Sequence, residues 1–333
     1  MKTVRSKLMV SLLALSFGIT IILSVVAVSY INRSTEDTLK KTIYPLAVQA
    51  SETFNNAVDG YIENFRNVAA ARSFYQAQSN KERIEQLTDK LSDDIENFSF
   101  AVYSTSGDML ETTGGASADV IAPEDIIHTV NRKDTVVTDI VTVKNKMYFG
   151  ILYPVMSDSD VEFVAAAAVN AELINSVVEG ISFSDSGYAY IINSSGETVL
   201  HKDIQKAISR FNPVDLARAD DTYKDMAACF SNAADKPQGS DEFEYDGVEY
   251  IAGFSKTNYF DGTLVVVCPT KSFMSTSSDA LKNILLLGAA ILAVTVIISI
   301  VFAKTISKPI ISTTNRIRQL AQGNLTDPVD VWY

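Results

Sequence analysis

Two long uncharged runs stand apart from the rest of the hydrophobic and polar pattern. The first, Leu8–Tyr30, has 23 residues and the second, Asn283–Ala303, has 21, and neither contains Asp, Glu, Lys or Arg. A helix rises about 1.5 Å per residue, so each run can cross a hydrocarbon core of about 30 Å. The first run could instead be a signal peptide, because Ala27-Val28-Ser29 resembles a cleavage site. It is longer than the usual apolar core of about 7–15 residues, which favours a retained membrane helix.

The positions of the basic residues near these runs predict the topology. They lie before the first run and after the second: Lys2, Arg5, Lys7, Lys304, Lys308, Arg316 and Arg318. Cytoplasmic flanks are the ones enriched in Lys and Arg, so both ends of the chain are expected in the cytoplasm. The chain is therefore predicted to be a two-pass protein of the cell membrane, with residues 31–282 as a folded extracytoplasmic domain.

A helical period follows the first run. From Ser34 to about Gln78 apolar residues recur at steps of three and four, which predicts one long helix. Pro45 is expected to kink or restart this helix near Tyr44. The sequence Ser79-Asn80-Lys81-Glu82 has the pattern of a capping box and predicts the start of a second helix. A helix that continues from a membrane span could carry displacement to it.

After Asn97 the period changes to that of short strands. The predicted order is strand, strand, helix and a three-stranded meander: Phe98–Tyr103, Met109–Thr112, Pro123–Val130, Val136–Val143, Met147–Val155 and Val161–Val169. A similar order then follows, with a helical stretch from about Asp203 to Ala234 after the second strand: Tyr188–Asn193, Thr198–His201, Glu242–Tyr245, Val248–Ser255 and Thr263–Cys268. Ser106-Gly107-Asp108 and Ser195-Gly196-Glu197 lie 89 positions apart at the same point of the two series. The chain is thus predicted to contain an internal repeat.

Composition and motifs exclude several classes of function. The formal net charge is −12, and an acidic surface repels nucleic-acid phosphates, so no nucleic-acid partner is expected. The sequence has no phosphate-binding loop, no His-Glu-x-x-His, no Gly-x-Ser-x-Gly and no Cys-x-x-Cys. We therefore expect neither an enzyme nor a cofactor or metal site within residues 1–333. Cys229 and Cys268 could pair, although Cys268 in an apolar strand is better explained as a packed small side chain.

The two series resemble the double Cache sensor domain of bacterial transmembrane receptors. The residues that carry the resemblance are Gly187–Glu197, Val199-Leu200-His201 and Asp261–Val267, with His201-Lys202 where many members have His-Pro. The resemblance implies an α+β fold in which a long stalk helix is followed by a membrane-distal and a membrane-proximal PAS-like module with antiparallel sheets. It also implies that a small molecule, or a ligand-loaded binding protein, is recognised outside the cell.

Polar and aromatic residues on the distal sheet are the candidate ligand contacts. They are Tyr103, Arg132, Tyr148, Tyr153 and Asn170, and each of the tyrosines could instead be ordinary strand packing. Tyr148 and Asn170 are expected to be near neighbours. Amino-acid-binding members carry Tyr-x4-Arg-x-Trp-Tyr, which is absent from residues 97–135, and Asn170 stands where those members have a closing Asp. The class of ligand therefore stays open, but the hydroxyl of Tyr148 and the amide of Asn170 favour a polar ligand that is not strongly cationic, because neither group neutralises a buried ammonium.

The C-terminal residues resemble the first half of a HAMP linker. Ile306-Ser307-Lys308-Pro309-Ile310 and Gly323-Asn324-Leu325 carry this likeness, and a helix discontinuity is expected at Pro309. Ile310, Ile317 and Leu320 have the spacing of a heptad seam, which implies a parallel homodimer. The family most often continues into a methyl-accepting chemotaxis domain that contacts cytoplasmic signalling proteins. A sensor histidine kinase or a diguanylate cyclase with the same front end is the alternative.

These observations divide the chain into seven predicted segments. They are a cytoplasmic N-terminus (1–7), a first transmembrane helix (8–30), stalk helices (31–96), a membrane-distal Cache module (97–175), a membrane-proximal Cache module (176–282), a second transmembrane helix (283–303) and a partial HAMP linker (304–333).

Overall fold

The computed structural model describes residues 4–91, 97–182 and 186–322. They form two compact units, Met1–Asp37 with Met274–Tyr333, and Thr38–Phe273. The helices are α1 Val4–Ala69, α2 Arg72–Tyr75, α3 Asn80–Leu91, α4 Ser117–Val120, α5 Pro123–Arg132, α6 Glu172–Gly180, α7 Ile204–Ile208, α8 Pro213–Leu216, α9 Lys224–Asp235 and α10 Thr270–Ala321, with a 3₁₀ turn at Asp221–Tyr223. The strands are β1 Phe98–Tyr103, β2 Met109–Thr112, β3 Val136–Val137, β4 Val141–Val143, β5 Lys146–Ser157, β6 Asp160–Asn170, β7 Tyr188–Ile192, β8 Thr198–His201, β9 Gln238–Tyr245, β10 Val248–Lys256 and β11 Thr263–Pro269.

The first unit, made of Met1–Asp37 and Met274–Tyr333, contains the apolar parts of α1 and α10. Among the described residues one helical segment, Lys282–Val301, is long and apolar enough to span a membrane, and Ala14–Tyr30 is a shorter apolar segment. The two segments line a common groove in which Thr20 of α1 and Gly288 of α10 take part. Large apolar side chains such as Leu23 and Leu286 are exposed on both.

Neither proline ends its helix. The predicted restart at Pro45 is wrong, since α1 continues through this residue to Ala69. The discontinuity expected at Pro309 is also not found, because α10 runs on to Ala321. A single proline removes one backbone hydrogen bond, and the neighbouring turns keep theirs. The Gly323-Asn324-Leu325 part of the HAMP likeness lies outside the described residues.

The second unit, Thr38–Phe273, contains two antiparallel sheets of matching topology. The first has the strand order β2-β1-β6-β5-β3, with β4 also paired to β5, and the second has the order β8-β7-β11-β10-β9. The turns predicted to be equivalent join the first two strands of each sheet, and Gly107 and Gly196 both have positive φ angles there, 96° and 78°. The internal repeat is therefore present in the fold. We call β1–β6 with α4 and α5 the first module, and β7–β11 with α7–α9 the second module.

One large core connects α1 to both sheets. It contains α1 residues such as Ile43 and Phe54, Phe149 of the first sheet and Leu264 of the second. Ser79 accepts a hydrogen bond from the N–H of Glu82 at the start of α3, as the capping pattern predicts, at an oxygen–nitrogen distance of 3.2 Å. The predicted strand Val136–Val143 is wrong in one respect. Residues 138–140 are not in a strand and separate β3 from β4.

Three further differences from the sequence-based prediction concern helices. The stretch from Asp203 to Ala234 is divided into α7, α8, the 3₁₀ turn and α9. Helices α4 and α6 were not predicted. Helix α6 begins directly after β6, and the alternating pattern of the strand obscures the short helical pattern that follows it.

The two cysteines are free and buried, and they belong to different core clusters. Cys229 lies in the cluster beneath α9, and Cys268 lies in the cluster that includes α1.

Candidate functional site

The face of the first sheet that is covered by α4 and α5 carries the candidate site. Small side chains line this face, among them Ala101, Ala166 and Ala168. Gly150 lies on β5, where a Cβ atom would come within 3.0 Å of the Thr138 side chain and 3.3 Å of Ile121. The absence of a side chain at Gly150 thus lets the segment between β3 and β4 approach the sheet.

An open cavity of about 430 Å³ lies at the edge of this face. It is formed by the end of α4, the connection to α5, the first turn of α5, the residues that separate β3 from β4 and the start of β4: Ala118, Asp119, Val120, Ile121, Ala122, Pro123, Glu124, Asp125, Thr138, Asp139 and Val141. Four of these residues are acidic and none is basic. The cavity therefore offers oxygen acceptors and negative charge to a ligand.

Asp125 is the most enclosed of the four acidic side chains. One of its oxygens accepts a hydrogen bond from the N–H of Ala122 at 3.0 Å, which ties the cavity wall to the start of α5. Burial raises the pKa of the Asp125 carboxyl, and the nearby charges of Glu124 and Asp139 add to this increase, while the Ala122 hydrogen bond and His128 oppose it. A cation bound in the cavity would relieve this repulsion.

Three of the five predicted contact residues share this face of the sheet. Tyr148 and Asn170 are direct partners across β5 and β6, so the expectation that they are neighbours is confirmed. Tyr103 is buried on the same face. Tyr153 packs against the opposite face, toward the core that contains α1, and Arg132 is exposed on the last turn of α5. The structure does not bring the five residues to a single point.

Two of these residues already use their polar atoms within the protein. The Tyr103 hydroxyl donates to the carbonyl of Ser117 at 3.1 Å, and burial raises its pKa to about 12. Asn170 is 2% exposed; its Nδ2 donates to Oδ1 of Asn97 at 3.2 Å, and its Oδ1 accepts from the N–H of Glu172 at 3.0 Å. The Asn170 side chain therefore satisfies the N–H of the first residue of α6.

Tyr148 differs from both. Its side chain is half-buried and packs at the margin of the hydrophobic cluster on this face. Its partner on the neighbouring strand β4 is Val141, which lines the cavity. Within the described residues its hydroxyl has no hydrogen-bond partner. Of the predicted residues, Tyr148 is thus the one that pairs with a residue of the cavity lining and has an unused polar group, although it does not itself line the cavity.

The acidic lining was missed by the sequence analysis. Asp119 lies in the short helix α4, Glu124 in the first turn of α5 and Asp139 between β3 and β4, and along the chain each resembles an ordinary solvated acidic residue. The available signal was the excess of acidic over basic residues between 117 and 140. Its convergence depends on α4 and α5 folding back over the sheet. No group of three or more side chains suited to a metal ion is found among the described residues.

The corresponding face of the second module is filled by aromatic side chains. Tyr190 stacks on Phe230 of α9 with ring centroids 5.5 Å apart, and Phe243 stacks on Tyr250 at 5.1 Å. His201 is 4% exposed and lies between Tyr188 and Tyr190. Burial lowers the pKa of His201 to about 4, and Lys206 contributes to the decrease. Its Nδ1 accepts a hydrogen bond from the N–H of Asp203 at 2.8 Å.

Solved structures with a similar fold are extracellular sensor domains. The ligand-binding domain of the Pseudomonas fluorescens chemoreceptor CtaA, in complex with L-isoleucine, has a TM-score of 0.55 and 12% identity, covering 73% of this chain and 98% of that one. The extracellular domain of mmHK1S-Z3, described as a histidine kinase, has a TM-score of 0.54 and 14% identity, covering 74% and 98%. The ligand-binding domain of PctB from Pseudomonas aeruginosa PAO1, in complex with L-Arg, has a TM-score of 0.52 and 14% identity, covering 70% and 96%.

At these identities the likeness concerns the fold. Among curated proteins, none is similar enough in sequence to count as a relative of this chain. The model of the Cache domain family dCache_1, in contrast, matches residues 30–277, a range that includes both sheets in a single domain. Since this match covers more than half of the 333 residues, the chain belongs to the Cache domain family of ligand-binding sensor domains.

Proposed function

We propose that this chain is the sensory part of a two-span membrane receptor that binds a small ligand in the first module. The observation that carries the proposal is the acidic cavity on the helix-covered face of the first sheet. Its lining holds four carboxylates and no basic side chain, so the ligand carries an ammonium or another cationic group. Tyr148, the cross-strand partner of Val141 in the lining, is the predicted contact whose hydroxyl is free to reach such a ligand. A cavity with a few converging polar groups is the usual form of a small-molecule site.

The membrane part of the proposal is supported by the first unit. Lys282–Val301 is long and apolar enough to span a bilayer, and Ala14–Tyr30 lies beside it with exposed apolar side chains. Water would not stabilise so much exposed apolar surface, whereas lipid does. The basic flanks favour an arrangement in which both modules lie on the far side of the membrane.

We further propose that the receptor is a homodimer whose cytoplasmic end begins a HAMP linker and leads into a chemotaxis output domain. The heptad spacing after Lys304 supports the pairing of helices. A histidine kinase or diguanylate cyclase output is the second candidate, and the likeness to mmHK1S-Z3 is the observation that favours it.

Ligand binding is tested on the full chain in lipid nanodiscs by thermal unfolding with amines, amino acids, organic acids and purines. At about 100 times its dissociation constant, a ligand of the folded state adds about 2.7 kcal/mol to the free energy of unfolding. We expect an amine or a basic amino acid to give such a shift, and Asp139→Asn to weaken it. Asp158→Asn is the matched control, because Asp158 is an exposed acidic residue in the β5–β6 turn outside the cavity.

A shift with an organic acid that Asp139→Asn leaves unchanged would contradict the cationic ligand. No shift with any compound would favour a ligand-loaded binding protein as the partner. The topology is tested by reporter fusions at Ser240 and Gln322. Activity of a periplasmic reporter at Gln322 would exclude the two-span arrangement.

A further inference from the structure

Residues Asp139–Val141 form the wall between two cavities. On one side Asp139 and Val141 line the acidic cavity of the first module. On the other side the same residues line a second cavity of about 410 Å³, which the second module completes with Asn193, Ser194, Glu197, Val199, Arg210, Phe260 and Asp261. Both modules belong to the same compact unit. A change in the position of these three residues would therefore alter both cavities.

Asp139 and Ile140 of this segment are not in a strand, whereas Val141 begins β4. Together with Thr138 they separate β3 from β4, and two hydrogen bonds hold Thr138 to β5. The N–H of Thr138 donates to the Gly150 carbonyl at 2.9 Å, and the N–H of Gly150 donates to the Thr138 hydroxyl at 2.7 Å. The middle of the segment is anchored by Ile140, which is 2% exposed in the core that also contains α1.

Arg210 of the second module holds the middle of this segment. Its guanidinium donates a hydrogen bond to the backbone carbonyl of Ile140, a residue 70 positions earlier. Asp139, Glu197 and Asp261 also line this cavity, yet none of them forms an ion pair with Arg210 within the part of the chain that the structure describes. The guanidinium therefore binds a backbone carbonyl of the first module, although a carboxylate of the cavity would be the usual partner of an arginine.

Arg210 is itself fixed to the second sheet. It follows α7 with a left-handed φ of 52°, and its N–H donates to the carbonyl of Ala207 at 3.1 Å. The carbonyl of the next residue, Phe211, accepts a hydrogen bond from the N–H of Thr198 at 2.9 Å, where β8 begins. The contact thus links a wall of the first cavity to a strand of the second module through two hydrogen bonds.

We propose that Arg210 is a positioning residue for the acidic cavity, and that its bond to Ile140 couples the state of that cavity to the second module. The sensing role rests on the function proposed above, whereas the coupling itself does not require a ligand. A coupling of this kind is reciprocal, so a change imposed at either end must be felt at the other.

The first experiment measures amide hydrogen exchange on the full chain in nanodiscs without ligand. In Arg210→Leu, which keeps most of the apolar stem but removes the donor, we expect the Thr138 and Gly150 amides to exchange about tenfold faster. Arg210→Lys should restore part of the protection, because an ammonium can still donate to the carbonyl. Arg218→Leu is the control: it removes the same charge from the second module at an exposed position paired with Asp215. Unchanged exchange at Thr138 and Gly150 in Arg210→Leu, or equal acceleration throughout both modules, would overturn the proposal.

The second experiment tests the reverse direction with Gly150→Ala, whose added Cβ presses on Thr138. We expect the Thr198 amide in the second module to change its exchange rate by about threefold. In an Arg210→Leu background this response should disappear. A Thr198 response of the same size with and without Arg210 would show that coupling takes another route. Because neither experiment uses a ligand, a failed ligand screen and a failed coupling are separate results.

Discussion

The two modules have the same strand order, but the side chains beneath their covering helices differ in size. In the first, the helix-covered face is built from alanines such as Ala166 and Ala168, and a cavity opens at its edge. In the second, Tyr190, Phe230 and Phe254 fill the same face beneath α9. The comparison teaches that topology alone does not make a binding site. The volume of the side chains under the covering helix decides whether a module has room for a ligand, because protein interiors are close-packed wherever side chains allow it.

The largest expected effect comes from removing an aromatic side chain from the interior of the second module. Phe230 is 3% exposed and stacks on Tyr190, so Phe230→Ala should lower the free energy of unfolding by about 3–5 kcal/mol. Chemical denaturation of the full chain in detergent, followed by circular dichroism, measures this. A loss below about 1 kcal/mol would mean that the second module tolerates a cavity as well as the first, and the contrast between the modules would fail.

Gly150 of β5 and Gly253 of β10 lie on equivalent strands of the two sheets. Replacing each by alanine tests how closely another segment packs against that strand. At Gly253 of β10 a Cβ would collide with the Ile43 carbonyl of α1, and backbone cannot yield without moving the helix. At Gly150 of β5 the nearest atoms belong to the Thr138 side chain, which can shift by a few tenths of an ångström. We expect Gly253→Ala to cost about 3 kcal/mol and Gly150→Ala about 1 kcal/mol in the same denaturation measurement. Equal losses would contradict this difference between the sheets.

His201 makes the stability of the second module depend on pH. The pKa of His201 is lowered to about 4 in the folded second module, against about 6.5 when unfolded. Its contribution to stability is therefore complete above pH 6.5 and is lost as the pH falls toward 4. We expect this loss to be about 2–3 kcal/mol, because one pKa unit corresponds to about 1.4 kcal/mol.

Thermal unfolding between pH 7 and pH 4 measures this effect. His201→Asn, which keeps a hydrogen-bond acceptor near the Asp203 N–H, should flatten the decline. His128→Asn is the control in the first module, where His128 is exposed on α5. If His128→Asn flattened the decline and His201→Asn did not, the assignment would be wrong.

The smallest expected effect concerns the two tyrosines of the first module. Tyr103→Phe removes one buried hydrogen bond and should cost about 1 kcal/mol, with no change in ligand affinity, because its hydroxyl serves Ser117. Tyr148→Phe should leave stability almost unchanged and weaken binding of the compound found in the screen. Calorimetric titration measures both. If binding weakened in Tyr103→Phe and not in Tyr148→Phe, we would conclude that the ligand binds deeper in the module, beneath α4.

Much of the fold can be predicted from local pattern. The bounds of β1, β2 and β8 agree with the prediction residue for residue, since a period of two and flanking turn residues mark short strands well. The repeat and its turns were also predicted. Of the candidate site, the pairing of Tyr148 with Asn170 was foreseen, while Tyr153 has its side chain on the wrong face. One residue of register decides the face of a strand, and the pattern of a sheet buried on both sides does not specify it.

The amino-acid sequence by itself determined the alternation of strands and helices, the internal repeat and the acidic character of the domain, because these depend on residues close together in the chain. Tertiary structure alone decided which carboxylates converge on one cavity, that the Asn170 side chain bonds to Asn97 and to the start of α6, and that Arg210 reaches Ile140 across 70 positions. The physical reason is that local periodicity records which face of an element is buried. What that face meets depends on how distant segments pack, and a glycine such as Gly150 matters only once another segment lies against it.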